Sequence, residues 1–255
     1  MTEPIVSLIT VSYNSKEYLT KSLEMLKKQD YPFIESIIID GGSTDGSIDI
    51  IKDFSKEFSD LYEGRRRTCT WRSESDEGAY YALNKGLEMA TGDIIGCYWD
   101  MYATEHTITD IVNTIINENA DGAHGDLVYV DDNGRIVRNW REGNGTIRQG
   151  WMPGHPTLYL KKEIYDRYGR YDTSYKISSD YEFMVRCLKD GQVRLSYIPE
   201  QLIKMFYGGM SSAGIKSYLK SVKEVYRALT SNKVRPAFLI VCRRTIRTVL
   251  QFVEK

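Results

Sequence analysis

Residues Ser73 to Tyr102, SESDEGAYYALNKGLEMATGDIIGCYWDMY, read as loop, helix, turn, strand and acid in one uninterrupted run, and that order admits few folds. Ala82, Leu83, Leu87 and Met89/Ala90 recur at helical spacing, and Gly92 falls where a C-terminal cap belongs. Ile94, Ile95 and Cys97 then form an apolar strand that closes at Asp100. In an open α/β sheet the ligand crevice lies outside the carboxyl ends of the strands, so an acid at that point is a site candidate rather than a core residue. Asp76, Glu77 and Gly78 precede the helix of the same unit, where an acidic loop can fold over a ligand held in the crevice.

The chain before this run supplies matching units. Ile5 to Val11 is a β-rich apolar run, followed by Ser12-Tyr13-Asn14-Ser15, which can cap a helix whose buried face is Leu19, Leu23 and Leu26. Ile34 to Ile39 forms a second strand ending at Asp40, and Asp40-Gly41-Gly42-Ser43-Thr44-Asp45-Gly46-Ser47 follows, dense in residues that accept unusual backbone angles and present backbone donors. A helix from about Ile48 to Phe58 and a short strand from Thr68 to Arg72 complete a doubly wound nucleotide-binding half. No G-x-G-x-x-G, G-x-x-x-x-G-K-[ST] or nucleophile elbow occurs, which argues against a dinucleotide fold, a P-loop ATPase and an α/β-hydrolase.

The 255 residues, 42% of them hydrophobic, suffice for a core without staples. Cys69, Cys97, Cys187 and Cys242 form no C-x-x-C, so free thiols in a reducing compartment are expected. The N-terminus lacks a basic leader and is used as a strand, and no stretch of ~20 apolar residues could span a bilayer. The net charge of −1 is unevenly spread: from Gly214 to Lys255 there are ten Lys/Arg against Glu224 and Glu254. In this tail Leu239, Cys242, Ile246, Val249, Leu250 and Val253 fall on one helical face, with Arg244, Arg247, Thr248, Gln251 and Lys255 on the other. The pattern suits either an interfacial helix on anionic lipid or a C-terminal helix docked on its own domain.

Four motifs in order, Val11-Ser12-Tyr13-Asn14, DGGSTDGS from Asp40, SESDEGAYYALNKG from Ser73 and ATGDIIG from Ala90, resemble family 2 glycosyltransferases of the GT-A fold. The resemblance continues through Gly154-His155-Pro156, Tyr168 to Asp172, Ser179-Asp180-Tyr181-Glu182 and Gly208-Gly209-Met210-Ser211, covering roughly residues 4 to 215. It implies an α/β, GT-A-like domain over residues 1–213 with a mostly parallel central sheet flanked by helices, and a basic amphipathic helical tail over 214–255. The donor half spans about 1–103 and the acceptor half about 104–213.

Such enzymes pass a sugar from a nucleoside-diphosphate sugar to a hydroxyl with inversion, usually with Mn²⁺ or Mg²⁺ on the diphosphate. By this resemblance Asp180 is the base, its alternative role being an ordinary helix cap. Thr10 and Tyr13 line the nucleoside, Asp40 contacts base or ribose, and Asp76, Asn84 and Lys85 close the pocket. Relatives end the fourth strand with a pair of carboxylates, whereas Gly96 to Tyr102 retains Asp100 alone, or puts Met101 at the metal position if no gap is allowed. A thioether is a poor ligand for a hard cation, so metal dependence rests on Asp100, with Glu105 or His155 as possible supplements.

A helix over Ile108 to Glu118 and strands over Gly122 to Val130 and Gly134 to Asn139 build the acceptor half, and Trp140, Trp151 and the glycines from Gly143 to Gly154 read either as a mobile aromatic loop suited to sugar rings or as a long surface loop with packed tryptophans. His155 and Trp151 are assigned to the acceptor or diphosphate. The expected activity is inverting transfer to a glycan or lipid-linked acceptor in bacterial-type surface polysaccharide synthesis, at the cytoplasmic face of an anionic membrane and without a nucleic-acid partner. The alternative is a nucleotide-sugar-binding relative with weakened or lost turnover, because the second acidic metal ligand is absent.

Overall fold

A computed structural model describes residues 3–60, 66–98, 100–131, 133–206 and 214–251. Trp99, Asp132, the 208–211 motif and the tail positions Val253 and Lys255 lie outside the described residues. The first half alternates as its periodicities predict: β1 (Val6–Ser12), α1 (Lys16–Lys27), β2 (Ile34–Asp40), α2 (Ser47–Asp60), β3 (Arg67–Ser73), α3 (Ala79–Met89) and β4 (Ile94–Cys97). Strands β3, β2, β1 and β4 are mutually parallel neighbours, so Ser12, Asp40 and Ser73 sit side by side at their carboxyl ends.

The second half comprises β5 (Met101–Tyr102), α4 (Thr107–Asn117), β6 (Gly122–Val130), β7 (Ile136–Trp140), β8 (Tyr159–Lys161), α5 (Lys162–Tyr168), α6 (Ser179–Leu188), β9 (Leu195–Phe206), α7 (Gly214–Ser231) and α8 (Ala237–Leu250). It extends the sheet in the order β4-β8-β6-β9-β5, with β7 on β6. Here β8, β7 and β5 run antiparallel to their neighbours, which makes the whole sheet mixed rather than mostly parallel throughout.

This order forces curvature. On a flat sheet β5 would lie ~19 Å from β4, at ~4.8 Å per strand. The chain between Cys97 and Met101 reaches ~14 Å at most. The far edge must therefore return to the end of β4, and register shifts beside Asp126 in the β6–β9 pairing supply the bend. Asp100 lies in that short connection, at the mouth of the closed curve.

Two apolar layers cover the sheet. One joins Leu19, Leu23 and Leu26 of α1, Phe54 and Phe58 of α2 and Ile108 and Ile111 of α4 to β1 and β2. The other joins Leu83 and Leu87 of α3 to Tyr165 of α5 and Phe183 of α6, and it includes Val225, Ala228 and Leu229 of α7 and Ala237 and Ile240 of α8. The charge boundary near residue 214 is thus not an edge of the core. In α8 the apolar face faces outward, with Leu239 50%, Ile246 60% and Val249 59% exposed. The inward face carries Ala237 and Ile240, then Arg244, over the Tyr181 ring, and Gln251, which accepts from Arg138. The helix is thus docked on the domain through Ala237 and Ile240, while the stripe of Leu239, Ile246 and Val249 faces away from the core.

Gly92 does not cap α3, whose cap position is Ala90. A Cβ at Gly92 would stand 2.6 Å from the Ile5 carbonyl oxygen, so glycine is required by close backbone approach. The same pressure acts at Gly86, where a Cβ would meet Ile9 Cγ2 at 2.3 Å. Gly86→Ala gains up to ~1 kcal/mol of helix propensity but overpacks the α3–β1 contact at a cost of ~1–3 kcal/mol. The expected result is a lowered urea midpoint at unchanged m-value. A raised midpoint would show that Ile9 yields without strain.

Candidate active site at the strand ends

The loops after β1 and β2 are locked to each other by side chains placed for the purpose. The Asp40 carboxylate is fully buried and accepts the N–H groups of Gly42 (3.0 Å) and Ser43 (2.8 Å) and the hydroxyls of Ser43 (2.5 Å) and Ser73 (2.7 Å). Asn14, at φ 44°, donates its N–H to Ser43 Oγ and accepts from the Thr44 N–H, both at 2.8 Å. Asp45 accepts the Lys16 N–H at 2.9 Å and both the N–H and hydroxyl of Ser47 at the start of α2. Over this rigid floor Tyr13 remains 66% exposed, its ring edge against Gly41, where a Cβ would lie 3.2 Å away. Thr10 is fully buried and its Oγ1 has no hydrogen-bond partner.

The acidic loop before α3 is tied down by Lys85, which pairs with Asp76 and with Glu74 at 2.7 Å. Asp76 Oδ2 is buried and without a partner. Asn84 has both ends of its amide engaged across the molecule, donating to the Tyr171 carbonyl at 2.9 Å and accepting the Tyr171 N–H at 3.0 Å. Asp100 is 7% exposed, its Oδ2 is a second buried carboxylate oxygen without a partner, and burial pushes its carboxyl up to about 7 against the opposing Phe206 N–H. Buried polar atoms left unpaired cost ~1–3 kcal/mol each and call for a reason.

A divalent cation fits this position through one ligand. Asp100 Oδ2 is directed into the protein with nothing bonded to it, and a hard oxygen donor is the right chemistry. Among the described residues no group of three or more His, Cys, Asp and Glu surrounds a common point, so the rest of the coordination shell would have to come from diphosphate oxygens and water.

The acceptor side meets the donor side through α6. Asp180 lies in the first turn of α6, where its Oδ1 accepts the Tyr80 hydroxyl at 3.0 Å, and the same hydroxyl donates to the Ile177 carbonyl at 2.7 Å. Tyr80 belongs to α3, so the donor loop and Asp180 are in contact. Tyr129 of β6 feels both Asp100 and Asp180, which reinforce the upward push of burial on its phenol while Arg138 opposes it. The two carboxylates therefore share one electrostatic neighbourhood.

His155 is buried, its Nε2 2.8 Å from the Tyr171 hydroxyl, and burial pushes its imidazole down against the raising effect of Asp180. Trp151 is not an open platform: it is 6% exposed, and its indole N–H donates to the carbonyls of Glu142 (3.0 Å) and Gly143 (3.1 Å). Its ring meets His124 edge-on at 5.3 Å and excludes any side chain from Gly145.

Several organising residues were not anticipated from sequence. Tyr171 joins Asn84, His155 and Cys97 at one point. Glu142 is buried beside His124, with Oε2 2.7 Å from Nδ1. Burial drives the Glu142 carboxyl well up and the His124 imidazole down, since neither charged form is favoured away from water. Oε1 of Glu142 accepts the Gly154 N–H (2.5 Å) and the Thr157 hydroxyl (3.0 Å), pinning the turn that carries His155. A cleft between α1 and α2, lined by Thr20, Leu23, Lys27, Phe54 and Glu57, opens in the helical layer and shares none of these groups.

Comparison with known proteins agrees with this geometry. A family model described as Glycosyl transferase family 2 matches residues 7–177. The chain is 25% identical over 226 residues to a PGL/p-HBAD biosynthesis glycosyltransferase of Mycobacterium bovis, covering 86% of this chain and 84% of that one. It is 26% identical over 202 residues to an uncharacterized glycosyltransferase of Haemophilus influenzae, covering 77% of each. Among solved structures it superposes on S. aureus TarS 1-349 in complex with UDP-GlcNAc with a TM-score of 0.73 at 18% identity, covering 95% of this chain and 72% of that one. The mannosyltransferase PcManGT of Pyrobaculum calidifontis, in complex with GDP-Man and Mn²⁺, gives 0.64 at 16% identity, with coverage of 100% and 77%.

The buried carboxyl of Asp100 has a stability consequence. The folded state keeps its proton up to about 7, whereas the unfolded chain releases it near 3.8, so between these values the unfolded state binds fewer protons and stability falls as pH rises. Asp100→Asn removes this loss. In metal-free protein the substitution should raise the thermal midpoint more at pH 8 than at pH 5. Equal effects at the two pH values would mean that burial does not displace the Asp100 carboxyl.

Proposed function

The chain belongs to the family 2 glycosyltransferases, and from that premise we propose that it catalyses inverting transfer of a sugar from a nucleoside-diphosphate sugar to a hydroxyl of a glycan or lipid-linked acceptor, with Asp180 as base. The observation that carries this reading is the contact of Asp180, through the Tyr80 hydroxyl, with the helix of the donor loop. A carboxylate in the first turn of a helix meets the positive end of the helix dipole, and in this reading the acceptor oxygen approaches it opposite the leaving diphosphate. The acceptor O–H gives its proton to Asp180 as its oxygen forms the new bond to the anomeric carbon. The bond from that carbon to the diphosphate breaks, and the nucleoside diphosphate leaves.

The remaining residues bind and hold. Tyr13 offers an exposed ring for stacking on the base, and Asp40 fixes the 41–43 loop against which base or ribose rests. Thr10 and Asp76 each keep a buried, unpartnered oxygen near the carboxyl ends of the strands. Asn84 and Lys85 act as holders, one fastening Tyr171 and the other the acidic loop. His155 stands behind Tyr171 as a neutral support of the acceptor side. Asp100 would hold Mn²⁺ or Mg²⁺; such an ion, when bound, neutralises charge developing on the diphosphate. UDP-GlcNAc and GDP-Man in the neighbouring structures support a nucleotide-sugar donor. The relatives named for PGL/p-HBAD biosynthesis support a glycolipid or cell-surface product.

The outward apolar face of α8 supports a place for this reaction, the surface of an anionic membrane on its cytoplasmic side. Leu239, Ile246, Val249 and Leu250 point away from the core, with Arg243 and Arg247 exposed beside them. Apolar side chains entering the headgroup boundary with cations at its rim are the chemistry of an interfacial helix. Among the described residues no helix is long and apolar enough to cross a membrane. A second reading, a nucleotide-sugar binder without turnover, rests on the single carboxylate at Asp100.

Two experiments test these readings. With UDP-GlcNAc and GDP-mannose as donors and octyl glycosides as acceptors, Asp180→Asn should keep donor binding and stability while turnover falls ~100 to 10,000-fold, the contribution of a positioned base. Retained turnover would move the base elsewhere, and donor binding without turnover in the unaltered protein would favour the second reading. The full chain should also sediment with phosphatidylglycerol vesicles and much less with phosphatidylcholine, and Ile246→Glu combined with Leu250→Glu should release it. No sedimentation of the unaltered chain at low salt would remove the membrane from the proposal.

A further inference from the structure

We infer that Glu224 of α7 is a positioning residue for Asp180. The inference rests on the reading of Asp180 as the base. Glu224 is one of two acids among ten cations in the last 42 residues of the chain, and it faces inward beside Val225, Ala228 and Leu229. Its side chain is buried and accepts three consecutive backbone N–H groups: Lys176 at 3.0 Å on Oε1, and Ile177 and Ser178 at 2.9 Å each on Oε2. These residues end one position before α6, with Asp180 its second residue.

The rest of α7 grips the same turn. Ser221 Oγ lies 3.0 Å from Ser178 Oγ, and Arg227 donates to Ser174 Oγ at 2.5 Å while its guanidinium lies 4.1 Å from the Tyr175 ring centroid. From the opposite side Tyr80 bonds both the Ile177 carbonyl and Asp180. The turn that delivers Asp180 is thus held between the donor half and α7. Three N–H groups converging on one carboxylate leave little freedom in the 176–178 backbone, because each would be left unpaired on moving away. A rigid turn here fixes the Asp180 carboxylate relative to a sugar held by the donor loops, and rate depends steeply on such placement.

The test uses the full chain with UDP-GlcNAc or GDP-mannose and octyl glycosides. Glu224→Gln keeps the size but puts an NH₂ against either the Lys176 N–H or the Ile177 and Ser178 N–H groups, so the turn must shift. The expected outcome is a fall in kcat of ~10- to 100-fold, the scale of an ångström misplacement, with donor affinity unchanged in direct titration. In an Asp180→Asn background the same substitution should cost almost nothing more, since it acts through that carboxylate.

Should Glu224→Gln fail to fold, Glu224→Asp, which keeps the charge but withdraws it by one methylene, should show the same selective loss of kcat. Undiminished kcat in a folded Glu224 variant, losses that multiply with those of Asp180→Asn, or a parallel fall in donor affinity would overturn the positioning role. Full turnover in Asp180→Asn alone would overturn the base assignment together with it, so the two failures are told apart.

Discussion

Buried carboxylates that accept backbone N–H groups hold this site together. A sheet that presents its strand ends to a ligand must connect them by irregular loops, and irregular backbone has no ladder to satisfy its donors. Asp40 answers this for residues 42 and 43, Glu142 for residue 154, and Glu224 for residues 176 to 178. At the opposite end of the sheet Glu35 does the same for Thr91 and Asp93 for Ile5. Each acid lies far in sequence from at least part of what it fastens, except within the Asp40 loop. The loops around the site therefore gain their shape from the finished fold rather than from local turn propensity.

That division explains what could be read in advance. The four parallel strands and their helices were legible because a two-residue or 3.6-residue period in apolar residues reports burial directly. The positions of Asp40 and Asp100 at strand ends were legible for the same reason, since an acid closing an apolar run has to lie at its edge, whereas Asp180 was placed at its helix start by the family resemblance alone. The partners of these residues were not. Nothing local marks Asn84 as fastening Tyr171, or Glu142 as pinning residue 154, because sequence separation carries no geometry. An aromatic residue among glycines looks the same in sequence whether those glycines permit motion or make room for the ring, so Trp151 could be an open platform or a packed side chain, and Gly145 makes room for the ring. Gly92 was misjudged, with a backbone approach mistaken for a cap.

Asp100 shows the opposite relation between stability and use. Asp40, Glu142 and Glu224 have partners on both oxygens, whereas Asp100, like Asp76, is buried with one oxygen unmatched, and burial pushes the Asp100 carboxyl up to about 7. A residue that breaks the local rule of polar satisfaction without a structural compensation is most simply explained by a ligand it serves. The curvature of the sheet is what keeps it there, because the short connection from β4 to the returning edge strand holds residue 100 against the fold with only 7% of its surface exposed.

Helix α7 has two faces with different obligations. Its inner face holds the 174–178 turn and enters the core through Val225, Ala228 and Leu229, while its outer face exposes Tyr218, Leu219 and Tyr226 next to the outward stripe of α8. A helix packed this firmly moves as a body, so whatever the outer face rests on also sets the orientation of the turn before Asp180. Glu224 is one of two acids among ten cations in the last 42 residues, and burying it lets one helix carry a cationic segment outward while holding three backbone N–H groups inward.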